Sequence, residues 1–595
     1  MTFRALTTLS TLALTATAST AFAQSTQPVP SRTLGPIVIS AGLAPIAANR
    51  TGVVAEVIED ADSGGQTALS TLLQGLPGFN LTQSGGYGQT SGFTLRGASQ
   101  NYVPVFIDGI DVTDPSMGQV AFDFATLTTG GLQRIEVLPG SQSAIYGARA
   151  VGGAINITSA TATQSGTHYR ADAEYGSRNT RALSFGVAHL DDHLSATATL
   201  STLATDGISA VAGGAEDDAA DATRLGFNLA YTLDNGAVIG GAGFAARAHA
   251  DYDDFGADAD NTSRSDSTGV RLYADFDAAG LRHTVAISHY GIERDYDEAY
   301  GSTHYTGTRN KLSWLATTAL SETTGLTFGA DTTREVYDES GMYGASNGKN
   351  TITGVFAEGT FALRPDFDLS ASIRHDDHSA FGSYDSARLA AVWRASRDWT
   401  LRGQVGNGFR APSGYELFGP YGNAGLRPET SQSSEFSVEY ALPADGFVRA
   451  TWFDLKIDDL IDWVGGSYQQ VAGTTHRQGA VIEGEVALTA WLRATASYTR
   501  TQSTPMSANV VGDAYLLGLA AQLGDATVAR FDVKHAADRA TLPDYTVANL
   551  AVTHDFTESL QGRFRIENLF DADYQLVSGY GTAGRSVFVG LGADF

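Results

Sequence analysis

From about residue 161 to the end, the chain reads in steps of two. Leu225, Phe227, Leu229, Tyr231 and Leu233 alternate with Gly226, Asn228, Ala230 and Thr232. Val270, Leu272, Ala274 and Phe276 alternate with Arg271, Tyr273, Asp275 and Asp277. The pattern returns in Leu492 to Thr499 and in Leu560 to Glu567. It ends with Val587, Val589, Leu591, Ala593 and the aromatic carboxyl-terminal Phe595. Apolar residues at every second position define a strand with one face away from water. A soluble sandwich shows the same alternation. Two features favour a membrane barrel instead. The opposite face carries charges and small polar residues, as a wet lumen permits, and tight turns alternate with long polar loops. Asn235-Gly236 is one such turn, predicted as type I′ on the periplasmic side. At about 20 residues per strand with its connection, residues 161 to 595 make roughly 22 strands.

Other classes are excluded more simply. No stretch after Ala23 approaches the roughly 20 apolar residues of a membrane helix. The formal charge of −27 argues against a nucleic-acid partner. The absence of cysteine removes disulfides, thiolate metal sites and a Cys nucleophile. Gly241-Ala242-Gly243-Phe244-Ala245-Ala246 fits a dinucleotide fingerprint loosely, but Arg247-Ala248-His249 continues a strand where a helix is required. His375-Asp376-Asp377-His378 reads as a hairpin loop with solvated side chains. No Ser/His/Asp spacing is meaningful, so neither an enzyme nor a redox or nucleotide cofactor is expected. Residues 1–23, ending Ala21-Phe22-Ala23, read as a secretory signal. Residues 24–50 form a Pro- and Ala-rich tail.

Residues 51–160 have another texture. Leu69, Leu72, Leu73 and Leu76 sit at helical spacing, closed by Pro77-Gly78. Short strands follow at Phe93–Arg96, Val103–Ile107, Ile135–Val137 and Ala154–Ile157. The expected architecture is an all-β transmembrane barrel over 161–595 with an α+β plug domain of residues 51–160 in its lumen.

Several motifs occur in this region in a fixed order. They are Leu76-Pro77-Gly78-Phe79, Leu95-Arg96-Gly97, Phe106-Ile107-Asp108-Gly109, Arg134-Ile135-Glu136-Val137 and Tyr146 through Ile157. Their order and spacing resemble the plug of TonB-dependent outer-membrane receptors. The likeness continues to Glu567-Asn568-Leu569-Phe570 and Thr582-Ala583-Gly584-Arg585. Within that family, Thr82 to Gln89, Ala204 to Gly207, Phe409-Arg410-Ala411-Pro412 and Tyr421-Gly422-Asn423 are similar to cobalamin receptors. One departure stands out: Pro139-Gly140-Ser141 replaces the family's Arg-Gly-Pro, which places a plug-to-barrel ion pair in doubt.

The resemblance implies an outer-membrane location in a Gram-negative bacterium, a monomer in contact with outer-membrane lipid, and energy supplied by TonB. Ile37, Val38, Ile39, Ser40 and Ala41 match the TonB box, which would add as a strand to the partner's sheet edge. It implies apical plug loops at Ser84–Thr90 and Asp111–Gln119, with Tyr87, Gln89 and Met117 as ligand contacts and Tyr252 closing from the barrel. Acidic residues at 216–221 and 251–260 lie at the outer ends of one hairpin. Glu216, Asp218, Asp251 and Asp253 match positions where cobalamin receptors hold calcium, with Ser209 standing at a further position. The cargo implied is cobalamin or a related corrinoid. A ferric siderophore or other metal chelate is the rival cargo, and a passive porin or adhesin is the rival class.

Overall fold

The structure is a computed structural model that describes residues 37–38, 40–59, 65–254, 256–342, 344–505 and 510–595. The expected signal, the tail up to residue 36 and Ile39 lie outside them. Among the described residues, 22 antiparallel strands form one closed barrel, from Gly166–Gly176 to Ser586–Asp594. The seam joins these two strands, with Gly176 opposite Phe588 and Arg170 opposite Asp594. No described helix is long and apolar enough to cross a membrane. Strands can cross only when every backbone group is paired, which the closed ladder achieves.

The alternation read from sequence is the alternation of the wall. Along Asp218–Thr232, Leu225, Phe227, Leu229 and Tyr231 stand exposed on the outside, while Ala222, Arg224 and Gly226 are buried on the inside. Leu272, Ile287, Trp314, Trp393, Trp399, Phe436, Trp452, Val589 and Leu591 are outward and exposed on other strands. Such a belt of apolar and aromatic side chains is what lipid requires. The turn after Thr232 differs from expectation. Only Gly236 takes a positive φ, of 81°, and Asn235 does not. Gly236 N–H donates to the Leu233 carbonyl and Leu233 N–H to the Ala237 carbonyl. This is a type I turn followed by a left-handed glycine, the three-residue hairpin rather than type I′. The Asn235 side chain caps it by accepting from Ala237 N–H at 3.0 Å.

His375 to His378 also differ from expectation. They end the strand Phe367–His378 and are not a loop. Asp376 and His378 are buried, and Asp376 accepts from Arg374 at 2.8 Å. The two inward positions of a strand cannot be solvated where the plug fills the bore.

The plug carries a five-stranded sheet, in the order Glu56–Glu59, Leu132–Pro139, Gly153–Ser159, Val105–Ile107 and Ile110–Asp111. The helix is shorter than the leucine spacing suggests, Leu69–Leu73. Its leucines pack with Phe79, Phe93, Val105, Phe124, Ile135 and Ile155 into the plug's apolar core.

Five ion pairs help fasten the plug to the wall. Arg96 pairs with Glu435 at 2.8 Å, Arg149 with Glu335 at 3.0 Å, and Arg309 with Asp111 at 3.0 Å. Arg294 pairs with Asp114 at 2.8 Å and Arg449 with Glu56 at 2.9 Å. No arginine stands at 139–141, and Glu435, near Gly140, is paired with Arg96. Ser141 N–H instead donates to Ser433 Oγ at 2.9 Å.

An arginine placed on the lipid face should be costly in proportion to its depth. Phe227→Arg, mid-belt, is expected to destabilise the barrel by about 2–4 kcal/mol, and Asn228→Arg on the lumen side by much less. Urea titration of both variants in lipid vesicles measures the difference.

Candidate functional site

The candidate site lies at the barrel end opposite the tight turn at Asn235-Gly236. One deeply buried arginine organises it. Arg410 Nη1 and Nη2 donate to the two oxygens of Glu416, each at 2.9 Å, and its Nε donates to Glu429. Glu429 also accepts from Tyr102 OH at 2.9 Å and from Ile461 N–H at 2.5 Å. Ser413 and Glu416 form a capping box that starts the short helix Gly414–Phe418. A bidentate arginine fixes orientation as well as distance. Arg410 thus locks both that helix and the hairpin Ile461–Val464/Ser467–Gln470 over the plug.

These two elements present rings. Tyr421 meets Trp463 edge-on at 5.1 Å, Trp463 meets Tyr468 at 5.3 Å, and Tyr468 meets Tyr415 at 6.2 Å. Tyr415 continues to Tyr305 at 6.5 Å, Tyr305 to Tyr296 at 5.9 Å, and Tyr296 to Tyr252 at 6.0 Å. The result is a continuous chain of aromatic side chains around the plug's apical loop. That loop approaches the rings closely: a Cβ at Gly118 would lie 2.4 Å from Tyr468 Oη. Gln119 Nε2 donates to the Ile461 carbonyl at 3.2 Å, and Ser413 Oγ donates to the Gly118 carbonyl at 2.8 Å. Arg294 lies over Tyr305 at 4.8 Å and is neutralised by Asp114.

The four expected ligand residues divide. Tyr252 belongs to the aromatic chain, its hydroxyl donating to Glu298 at 3.0 Å. Met117 is half-buried in the apical loop. Tyr87 is half-buried and donates to the Thr126 carbonyl at 2.9 Å. Gln89 is buried, and its amide donates to the Asp251 carbonyl at 2.6 Å. It ties plug to wall and presents no amide to the vestibule. At neighbouring Gly88, φ is +91° and a Cβ would strike Ala220 Cβ at 2.3 Å, so only glycine allows this approach.

A second feature lies beside the rings. Glu216, Asp218 and Asp253 bring carboxylate oxygens within 4.8 Å of one another. Asp260 faces Glu216 as well. Asp251 stands outside this group. The register shift between Tyr252 and Asp254 turns Asp253 away from the face that Asp251 occupies. Asp218 accepts from Ala210 N–H at 2.6 Å, and Asp253 from Val211 N–H at 2.7 Å and Ala259 N–H at 2.9 Å. Ser209 Oγ is 3.4 Å from Asp253. Glu216 Oε1 is buried and accepts no hydrogen bond. Burial first, then Asp253 and Glu216, push Asp218 up to about 7. Burial, followed by Asp260 and Asp253, raises Glu216. Converging carboxylates with an orphaned oxygen fit a hard, oxygen-seeking cation of the calcium type.

The TonB-box match is not a free tail in this structure. Ile37–Val38 pairs antiparallel with Ile46–Ala47. Ser40 N–H donates to Glu136 at 3.0 Å, and Tyr146 OH donates to the Ser40 carbonyl at 2.7 Å. The Ala41 carbonyl accepts from Arg388 at 2.9 Å.

The chain matches the family model "TonB dependent receptor-like, beta-barrel" over residues 158–569 and "TonB-dependent Receptor Plug Domain" over residues 44–154. It is 26% identical over 560 residues to the vitamin B12 transporter BtuB of Vibrio vulnificus strain YJ016, covering 89% of this chain and 88% of that protein. A mutant of the ferric enterobactin receptor PfeA from Pseudomonas aeruginosa superposes with a TM-score of 0.78 at 18% identity, covering 91% of this chain and 98% of that one. The siderophore receptor PirA from Acinetobacter baumannii gives 0.77 at 16% identity over the same shares. At such identities the likeness to solved structures is one of fold.

With no cation bound, the acidic cluster should be pH-sensitive. Asp218 holds its proton in the fold up to about pH 7, whereas an unfolded aspartic acid loses it near 4. The contribution to stability is complete below about pH 4 and is lost as the pH rises through 7. In chelator, hydrogen exchange at residues 209–218 should therefore accelerate between pH 5 and 8, and Asp218→Asn should flatten that dependence.

Proposed function

We propose, from the premise that this chain belongs to the TonB-dependent receptor family of Gram-negative outer membranes, that its cargo is cobalamin or a related corrinoid. The family comprises receptors and transporters that work with TonB, and the chain is read accordingly as an energy-coupled importer and not an enzyme. The observation that carries the cargo reading is the aromatic chain from Tyr421 to Tyr252 over the apical loop. Cobalamin is a large disc fringed with amides. Ring faces and hydroxyls suit it, whereas an anionic ferric chelate needs unpaired cations. Arg294, a cation beside these rings, is already paired with Asp114. The 26% identical relative named as a vitamin B12 transporter supports the same cargo.

Calcium is the cation proposed for Glu216, Asp218, Asp253 and Asp260, with Asp251 excluded from the set. Its charge would offset the carboxylate repulsion and fix loop 209–217 at the edge of the vestibule. TonB is proposed to take Ile37 to Ala41 as an added strand, replacing the short pairing with Ile46–Ala47.

Equilibrium binding of cyanocobalamin to purified protein, with calcium or with chelator, tests the cargo. Binding strengthened by calcium is expected. Absence of binding, alongside tight binding of a ferric triscatecholate, would overturn the reading in favour of a siderophore receptor. Trp463→Ala and Tyr415→Ala should each weaken cyanocobalamin binding about tenfold, the loss of roughly 1–2 kcal/mol of ring contact. Deletion of residues 34–41 should leave binding intact and abolish uptake by cells. Uptake equal to the parent would remove the coupling role.

A further inference from the structure

The two elements that carry the central rings stand on the plug. Residues 114–119 form the plug's apex, which is closed on itself. Asp114 N–H donates to the Ala121 carbonyl at 2.7 Å, and Asp114 Oδ1 accepts from Ser116 N–H and Ser116 Oγ, each at 2.7 Å. The wall holds the same turn. Arg294 Nη2 donates to Ser116 Oγ at 3.2 Å, beside its ion pair with Asp114.

Each ring-bearing element meets one residue of this apex. Ser413 Oγ caps the helix Gly414–Phe418 by accepting from Glu416 N–H at 2.9 Å, and it gives its own proton to the Gly118 carbonyl at 2.8 Å. The helix that carries Tyr415 thus shares its N-cap with the plug. Gln119 Nε2 donates to the carbonyl of Ile461, the first residue of the hairpin that carries Trp463 and Tyr468. On the wall side the helix meets Tyr337, whose hydroxyl donates to the Gly414 carbonyl at 2.9 Å. A Cβ at Gly414 would lie 2.0 Å from Tyr337 Cε1. The helix is therefore held between the wall and the plug apex.

The fit at the apex is tightest at Gly118. Its φ lies outside the left-handed range, so the backbone itself would accept a side chain. Tyr468 is what excludes one. A Cβ at Gly118 would lie 2.4 Å from Tyr468 Oη, whereas its next neighbours, Tyr415 Cδ1 and Tyr468 Cζ, are at 3.5 Å, an ordinary contact. The hydroxyl cannot retreat alone. The Tyr468 ring meets Trp463 edge-on at 5.3 Å and Tyr415 edge-on at 6.2 Å, and Tyr468 N–H donates to the Tyr421 carbonyl at 3.1 Å. One methyl group at the plug apex would therefore be passed into the aromatic chain.

We propose that Gly118 is a positioning residue for cargo recognition. The bare backbone of the plug apex sets where Tyr468 and Tyr415 stand, and with them the spacing of the rings that cargo meets. Gly118 acts through the Tyr468 hydroxyl. The proposal rests on the reading of the aromatic chain as the cargo site and names what sets its spacing.

A double-mutant cycle isolates that action, because the Tyr468 hydroxyl is the one atom that a methyl group would strike. Gly118→Ala should weaken cyanocobalamin binding about tenfold, and on the Tyr468→Phe background it should change binding by less than about twofold. An equal loss on both backgrounds would mean that the methyl group acts by touching cargo or by unsettling the plug, and would overturn the assignment. No loss on either background would overturn it as well.

A second readout needs no cargo. Amide hydrogen exchange over residues 461–470 of the full-length protein should quicken at least about fivefold in Gly118→Ala, and the same substitution should have no such effect on the Tyr468→Phe background. Unchanged exchange in Gly118→Ala would overturn the positioning role even if the parent binds cyanocobalamin. Faster exchange that is cancelled by Tyr468→Phe would uphold it even if the parent binds none, and the cargo reading alone would then fall.

Discussion

The backbone hydrogen-bond ladder that closes between Gly166–Gly176 and Ser586–Asp594 is the constraint from which the rest follows. Lipid offers no partner to a peptide group, so an open edge would leave a column of unpaired amides in hydrocarbon. The ladder closes with 22 strands, which enclose a bore wide enough to admit a domain. A wide bore would conduct freely. The plug is therefore a consequence of the wall's size, and its attachments must block the lumen while remaining breakable.

Charge meets both requirements better than an apolar seal. Most of the plug's apolar side chains build its own core around Leu69, Phe93 and Ile155, which Phe244 and Tyr290 of the wall join, and Tyr102 and Val151 pack against Leu455 and Ile457. The plug also meets the wall through Arg96, Arg149, Asp111, Asp114 and Glu56. Buried ion pairs add little net stability, because desolvation offsets much of their attraction. They do define one seating, since each charge left unpaired would be expensive. Water entering the interface can solvate the same groups, which an apolar seal would not allow at comparable cost.

The wall was the most legible part of the sequence, because lipid and lumen impose opposite demands on alternate residues. Leu225 to Leu233 declare their faces one by one. Local exceptions arose where a single residue alters the register. The Asn235-Gly236 pair looks like a two-residue turn, yet Leu233 and Ala237 pair and leave a longer hairpin. The shift near Asp254 separates Asp251 from Asp253, which simple alternation places together. The aromatic chain was illegible for another reason. Its members come from strands ending near Tyr252 and Tyr296, from Tyr305, from the helix at Tyr415 and from the hairpin at Trp463 and Tyr468. No sequence window contains more than a few of them. The one local signal was the run from Phe409 to Asn423, whose Arg410 carries the network that brings the rest into place.

If residues 37–41 are gripped as proposed, their contacts determine where a pull would enter the plug. Ser40 is bonded to Glu136, which lies in Leu132–Pro139, a strand flanked in the sheet by Glu56–Glu59 and Gly153–Ser159. Glu136 also accepts from Arg134 at 2.6 Å. Tension on residues 37–41 first meets the two-residue pairing with Ile46–Ala47, which holds few bonds and yields easily. It next meets Arg388 on the Ala41 carbonyl and Glu358 on Leu43 N–H, both anchored in the wall. These contacts share the load with the bond from Ser40 to Glu136. Once the two-residue pairing yields, a pull would reach the strand Leu132–Pro139 through Ser40 and the wall through Ala41 and Leu43 together. Under the coupling proposed above, a partner gripping residues 37–41 would therefore load plug and wall at once, which the loss of the two-residue pairing alone would not do.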